Sequence, residues 1–311
     1  MCKLLSPLRY PGGKNSLVSY FETVVKENLL IGAHLYEPYA GGASISLQLL
    51  QQNLISKTTL VERDPLIYAL WKSVKTQPEE LCKKIEQIDV TLATWHSFQK
   101  YLSSDALSKF PTLELGLAGL FFNRTNFSGI LNAGPIGGKK QESEYTISCR
   151  FNKDRIIDQI ITIAKFGSKL SVVFGDALSY LRKNNHKITQ DHSLVYLDPP
   201  YFQQGHKLYR YHYALQQHQS LAEFIMKAKY PWIVSYDNHQ TIIDLFEGQK
   251  ITPIYLNYAV RKSRIARELL ISNIKLANEE YESELENLHS TVAHELLKKQ
   301  KNRCREASVV A

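Results

Sequence analysis

Short apolar runs, each stopped by a polar or turn-forming residue, recur along the chain and alternate with amphipathic stretches of helical spacing. Leu194-Val-Tyr-Leu197 is one such run, and Asp198-Pro-Pro-Tyr201 ends it, because neither proline can donate to a sheet ladder. Residues 33–37, 57–62, 170–174 and 232–236 read as further short strands. Helices are expected over 17–28, 45–50, 78–88 and 115–122, and a basic hairpin within 255–272. Tyr281, Leu285, Leu288, Val292 and Leu296 fall at helical spacing, with acids crowding the start and Lys and Arg the end, as the helix dipole favours. Strands alternating with helices predict an α/β fold around a parallel sheet. The alternation lapses from about residue 71 to 166. The expected organisation is a sheet domain from 1–70 and 167–275, an inserted, mainly helical region at 71–166, and a helical tail at 276–311.

Open parallel sheets bind ligands at the carboxyl ends of their strands, and acids stand there. Asp198 follows the 194–197 strand, Glu62 ends the second strand, and Asp176 follows the strand at 170–174. Glu62 lies about 20 residues past the small-residue turn at Gly41-Gly42, the spacing at which a carboxylate takes ribose hydroxyls in nucleotide-binding sheets. Asp64 is expected to cap the following helix. A carboxylate at Asp198, a free carbonyl at Pro199 and the flat ring of Tyr201 suit a planar group bearing an NH2. The segment Pro11-Gly-Gly-Lys14 is not a Walker A loop, since the position that motif reserves for its first glycine is Leu8.

Composition narrows the partners. The 311 residues, 44% hydrophobic and 22% charged, suit a globular chain. No apolar run approaches the ~20 residues of a membrane helix, and the first residues lack a secretory leader's apolar stretch. Cys2, Cys82, Cys149 and Cys304 are scattered, so a cytoplasmic location is expected, with no membrane, no disulfide framework and no cysteine metal pair. His206, His212 and His218 have no helical ligand pair beside an acid, so no metal is expected. The net charge of +8 favours a polyanion. Lys207 and Arg210, interleaved with aromatics over 202–213, suit stacking on bases and pairing with phosphates.

Arg9-Tyr-Pro-Gly-Gly-Lys14, Tyr36-Glu-Pro-Tyr-Ala-Gly-Gly42, Val61-Glu-Arg-Asp64, Asn123-Arg124 and Asp198-Pro-Pro-Tyr201 occur in an order that resembles the Dam-like (D12 class) adenine-specific DNA N6-methyltransferases, over roughly residues 8–273. The resemblance implies a Rossmann-like S-adenosylmethionine-dependent sheet and an inserted helical target-recognition domain. It implies that Tyr10 and Lys14 close over the methionine end of S-adenosyl-L-methionine, that Glu37 and Gly41 lie against the cofactor, that Glu62 takes the ribose and that Asp176 reaches the cofactor adenine. Asp198, Pro199, Pro200 and Tyr201 then form the catalytic stretch, with Asp198 also facing the cofactor. Arg9, Asn123, Arg124, Lys139 and Lys140 become candidates for contact with double-stranded DNA, and a cognate restriction endonuclease a possible partner. The loop after Arg124 departs from the GATC-reading members, which leaves the target sequence open. The rivals are an RNA adenine methyltransferase and a catalytically silent DNA-binding regulator of the same fold. The intact Asp198, Tyr201 and glycine turn argue against the regulator.

Overall fold

Apolar runs buried on both faces need strands on both edges, and in the computed structural model the runs at 33–37 and 194–197 have them, whereas 170–174 forms the part-exposed edge. The structure describes residues 5–9, 14–103, 105–203, 205, 210–260 and 262–277, without the side chains of 15 and 255–266. Helix α1 (Val18–Glu27) leads into β1 (Ala33–Glu37), and α2 (Ser44–Gln51) connects it to β2 (Ile55–Glu62). A helical region follows: α3 (Pro65–Thr76), α4 (Pro78–Gln87), α5 (Leu92–Phe98), α6 (Ala106–Lys109), α7 (Thr112–Thr125) and α8 (Lys153–Ala164). The alternation resumes with β3 (Leu170–Phe174), α9 (Ala177–Gln190), β4 (Ser193–Leu197), α10 (Leu215–Ile225), β5 (Trp232–Asp237) and α11 (Gln240–Leu245), and closes on β6 (Lys250–Val260) and β7 (Lys262–Ser272).

Among the described residues seven strands form one sheet in the order β3-β2-β1-β4-β5-β7-β6. The first five pair in parallel, while β7 is antiparallel to both β5 and β6. The expected hairpin is therefore present as backbone. Its arginines and lysine at 261–264 lie outside the described side chains. Every residue of β1 and β4 is buried. Val195 and Leu197 pack with α9, α10 and α11. Tyr196 points to the other face, where Phe21 of α1 meets its ring edge-on at 4.7 Å.

The helices expected as an insertion do not form a core of their own. Leu81, Leu115, Phe121, Phe122 and Ile160 share one apolar cluster with Leu60 of β2 and Leu170 of β3. Helix α7 lies hard against α3: a Cβ on Gly119 would stand 2.7 Å from the Leu66 carbonyl oxygen, and one on Gly116 2.8 Å from that of Ala69. Only glycine lets the two backbones approach so closely. The chain divides into two units, Met1–Lys275 and Leu276–Ala311. The helical tail read from the sequence lies outside the described residues from 278 onward. Among the described residues no helix is long and apolar enough to cross a membrane.

Candidate active site

Each parallel strand delivers an acid to one rim. Glu37, Glu62 and Asp237 are the last residues of β1, β2 and β5, Asp198 directly follows β4, and Asp176 stands two residues past β3. Strand β7 runs the other way, and its register sets Glu268 opposite Asp237 on that same rim. Neither residue was read from the sequence as part of a site.

Asp198 is held from the side. Leu197 pairs with Val234, so Ser235 lies beside the acid, and its hydroxyl donates to Asp198 Oδ1 at 2.6 Å. Lys14 Nζ approaches the same oxygen at 3.0 Å. That ammonium also lies 3.2 Å from Glu268 Oε2 and donates to the Tyr201 hydroxyl at 3.4 Å. The Tyr201 hydroxyl in turn donates to Glu268 Oε1 at 2.6 Å. The side chains of Lys14 and Glu268 are 5% and 3% exposed, whereas that of Asp198 is 25% exposed. One carboxylate of the pair is therefore sealed and the other open. Burial alone would lower the Lys14 ammonium, but Asp198, Tyr201 and Glu268 hold it well above the usual lysine range. Burial raises Glu268, and Lys14 opposes that rise.

Pro199 and Pro200 are buried, and the loop beyond them is pinned. The backbone N–H groups of Phe202 and Gln203 donate to the two oxygens of Asp237 at 2.7 and 3.0 Å. Tyr201 is thereby fixed at its backbone by this loop and at its hydroxyl by Glu268.

The glycine turn after β1 takes left-handed backbone at Gly41 (φ 42°) and at Ala43 (φ 50°), where a side chain is strained. The Gly41 N–H donates to Glu62 Oε2 at 3.0 Å, and the Asp64 N–H donates to Glu62 Oε1 at 2.8 Å. Trp71 Nε1 donates to the Gly41 carbonyl at 2.9 Å. Burial pushes Glu62 up to about 7, against the pull of those backbone donors. Glu37 is buried still more deeply. Burial pushes it up to about 8, Ser46 opposes the shift and Asp198 adds to it. Among the described residues no donor reaches Glu37 Oε2. Asp176 caps α9 through the Ser179 N–H at 2.9 Å and takes the Tyr213 hydroxyl at 3.3 Å.

The residues expected on DNA divide. Asn123 is fully buried. It accepts the Arg9 N–H at 2.7 Å and donates to the carbonyls of Arg9 and Gly129 at 2.8 and 3.0 Å. It is a strut between α7 and the N-terminal segment. The segment after Arg124 also begins inside the core, because Asn126 is buried too and accepts Trp95 Nε1–H at 2.6 Å. Arg210 is also committed. Its guanidinium donates to both oxygens of Asp64 at 3.2 Å and to the Leu102 carbonyl at 2.7 Å. Asp64 does cap α3, through the Leu66 N–H at 2.9 Å. Arg124 is half-buried with Nε unpartnered among the described residues; burial lowers it to about 10, with Arg9, Arg155 and Arg150 adding to the fall. Lys139 and Lys140 are exposed on a turn. Tyr10 and Lys207 lie outside the described residues. Among the described residues no three His, Cys, Asp or Glu side chains gather as a metal site, and His218 meets the Tyr236 hydroxyl at 2.8 Å.

A parallel sheet with one reversed strand, an acid at each parallel strand's end and an Asp-Pro-Pro-Tyr turn define a Rossmann-like methyltransferase. The family model of the D12 class N6 adenine-specific DNA methyltransferases matches residues 10–260, and the chain belongs to that family. No curated protein matches it in sequence. Two solved structures are similar in outline. One is a candidate RNA methyltransferase from Pyrococcus horikoshii, 10% identical, with 89% of this chain and 91% of that one covered and a TM-score of 0.40. The other is the rRNA methyltransferase aviRa from Streptomyces viridochromogenes, 13% identical, with 88% and 90% covered and a TM-score of 0.39. Likenesses that weak carry no weight on the substrate.

Proposed function

We propose that the chain methylates N6 of adenine in double-stranded DNA, using S-adenosyl-L-methionine, on a base flipped out of the duplex. The observation that carries this reading is the open Asp198 carboxylate, oriented by Ser235 and standing beside Tyr201 at the rim. The N6 lone pair is delocalised into the ring, so the amine is a poor nucleophile until its hydrogens are held by acceptors. Asp198 and the Pro199 carbonyl are suited to hold them, and fixed acceptors where positive charge develops stabilise the transition state. Tyr201 is suited to stack on the extruded base and offset part of the few kcal/mol that flipping costs.

The residues present fit the cofactor. When bound, S-adenosylmethionine supplies an electrophilic methyl on a cationic sulfonium. A rim of carboxylates complements such a cation and its ammonium group. Glu37 Oε2, buried and without a partner among the described residues, is a polar atom that a ligand group can satisfy. Glu62 offers the ribose hydroxyls what lone pairs its two backbone donors leave. Arg9 and Arg124 are the arginines we assign to DNA.

The test is tritium transfer from labelled cofactor to duplex DNA and, separately, to RNA, beside an Asp198→Ala control. Label in DNA that the control lacks supports the reading. Label confined to RNA replaces the polymer and keeps the chemistry, whereas label in neither removes the enzyme.

A further inference from the structure

Glu268 belongs to no motif used above, yet it touches two residues that do. It is sealed from solvent and ion-paired to Lys14 at 3.2 Å, and it accepts the Tyr201 hydroxyl at 2.6 Å. Lys14 in turn lies 3.0 Å from Asp198 Oδ1, the oxygen that already takes the Ser235 hydroxyl. Two charges therefore bear on any amine that enters beside Asp198: the carboxylate that is to hold it and an ammonium that repels it. With Lys14 and Asp198 alone, the cluster's charges would cancel. Glu268 restores a net negative charge, and it does so from a buried strand position where its charge is little screened.

We propose that Glu268 is a positioning residue for methyl transfer: it shares the Lys14 ammonium with Asp198, holds the Tyr201 ring through its hydroxyl, and keeps the pocket negative as the amino nitrogen gains positive charge. The two tasks share one carboxylate, since Oε2 faces Lys14 and Oε1 faces Tyr201. Its place on β7 suits the role. That strand is locked on one side by β5 and on the other by β6, with Glu268 opposite Asp237 and Ile254. The carboxylate's backbone is therefore held while the open side chain of Asp198 meets the ligand.

This inference rests on the methyltransferase reading, and the experiment separates the two. Single-turnover transfer is measured at saturating S-adenosylmethionine and nucleic acid, on whichever polymer the wild type labels, for wild type, Glu268→Gln and Glu268→Asp. Glutamine keeps the size and an acceptor for Tyr201 but removes the charge. Aspartate keeps the charge on a shorter arm. We expect Glu268→Gln to lose ten- to a hundredfold in the transfer rate, with cofactor Kd and nucleic-acid KM within threefold. We expect Glu268→Asp to recover at least threefold over the glutamine variant. A Glu268→Gln enzyme within threefold of wild type overturns the role. So does a loss shared equally by both variants and accompanied by a lower melting temperature, which marks a packing residue. A wild type that labels neither polymer fails the functional reading and this inference with it, while a labelling wild type with an indifferent Glu268→Gln variant fails this inference alone.

Discussion

Lys14 Nζ stands 3.0 Å from Asp198 Oδ1, and the residues are 184 positions apart. The contact fastens the short 3-10 turn Lys14–Leu17, which leads into α1, across the end of β4. It also gives the buried lysine a compensating charge, which a buried ammonium needs. The first and the last of the motifs that carry the family resemblance are thus parts of one ionic cluster.

Removing the cation exposes its structural share. Lys14→Met leaves Asp198 and Glu268 facing one another with no charge between them. Breaking a buried pair from one side costs about 3–5 kcal/mol. Burial and the neighbouring Asp198 already raise Glu268, and without Lys14 it rises further. A carboxyl raised in the folded state contributes most below its unfolded pKa and loses that contribution as pH rises through the folded one. The deficit in urea unfolding is therefore expected to shrink from pH 8 to pH 5. A deficit that is constant with pH, or none at all, contradicts the cluster.

Asp198→Ala is expected to reduce transfer at least a few hundredfold, about 3–4 kcal/mol of transition-state stabilisation, while binding of nucleic acid survives. Lys14 keeps Glu268 as a partner in this variant, so the fold is expected to persist. Retained turnover within tenfold of wild type would falsify the assignment.

The strands were legible because a short apolar run that ends in an acid or a proline fits little besides a buried strand. The runs at 33–37, 57–62, 170–174, 194–197 and 232–236 are all strands, and the acids after them share a rim. Ser235 and Glu268 were missed for a common reason. Each is a single polar residue in an otherwise apolar strand, and its worth depends on which strand becomes its neighbour. Asn123 and Arg210 erred the other way. An Asn or Arg in a polar stretch resembles a nucleic-acid contact, but the fold buries Asn123 on backbone groups and pairs Arg210 with Asp64. The 71–166 boundary was read from lost alternation, a signal blind to a core shared with the sheet.

Asn123→Ala takes the partner from three backbone groups, the part-buried N–H and carbonyl of Arg9 and the buried carbonyl of Gly129. Unsatisfied buried groups cost about 1–3 kcal/mol each before relaxation or water entry. We expect about 2–4 kcal/mol lost in chemical denaturation. A loss under about 1 kcal/mol, with nucleic-acid affinity reduced, would return Asn123 to the binding surface.

Gly119→Ala tests the α3–α7 contact. The added methyl would meet the Leu66 carbonyl oxygen at 2.7 Å, a backbone atom that cannot swing aside. The helices must part, at about 1–3 kcal/mol, against the small helical gain that alanine brings. A more stable variant would show the helices to be farther apart than described.

The Glu37 carboxyl gives the cofactor reading a pH signature. Burial holds it at about 8, so near neutrality much of it is protonated, whereas binding of a cation favours the ionised form. Binding then releases a proton, and affinity for S-adenosylmethionine is expected to climb as pH rises toward 8, by up to about tenfold per unit, and to level off above it. Glu62, held at about 7, adds its own slope below that pH, so Glu37→Gln is expected to flatten the profile between about pH 7 and 8 and to reduce the slope lower down without abolishing it. Without cofactor the sign reverses. A carboxyl raised from its ordinary 4.5 stabilises the fold most at low pH and loses that contribution as pH rises through 8, so the free protein weakens over the range in which the complex tightens. Calorimetry in buffers of different ionisation enthalpy counts the proton directly. No proton released at pH 7, or a profile that Glu37→Gln leaves unchanged, removes Glu37 from the cofactor site.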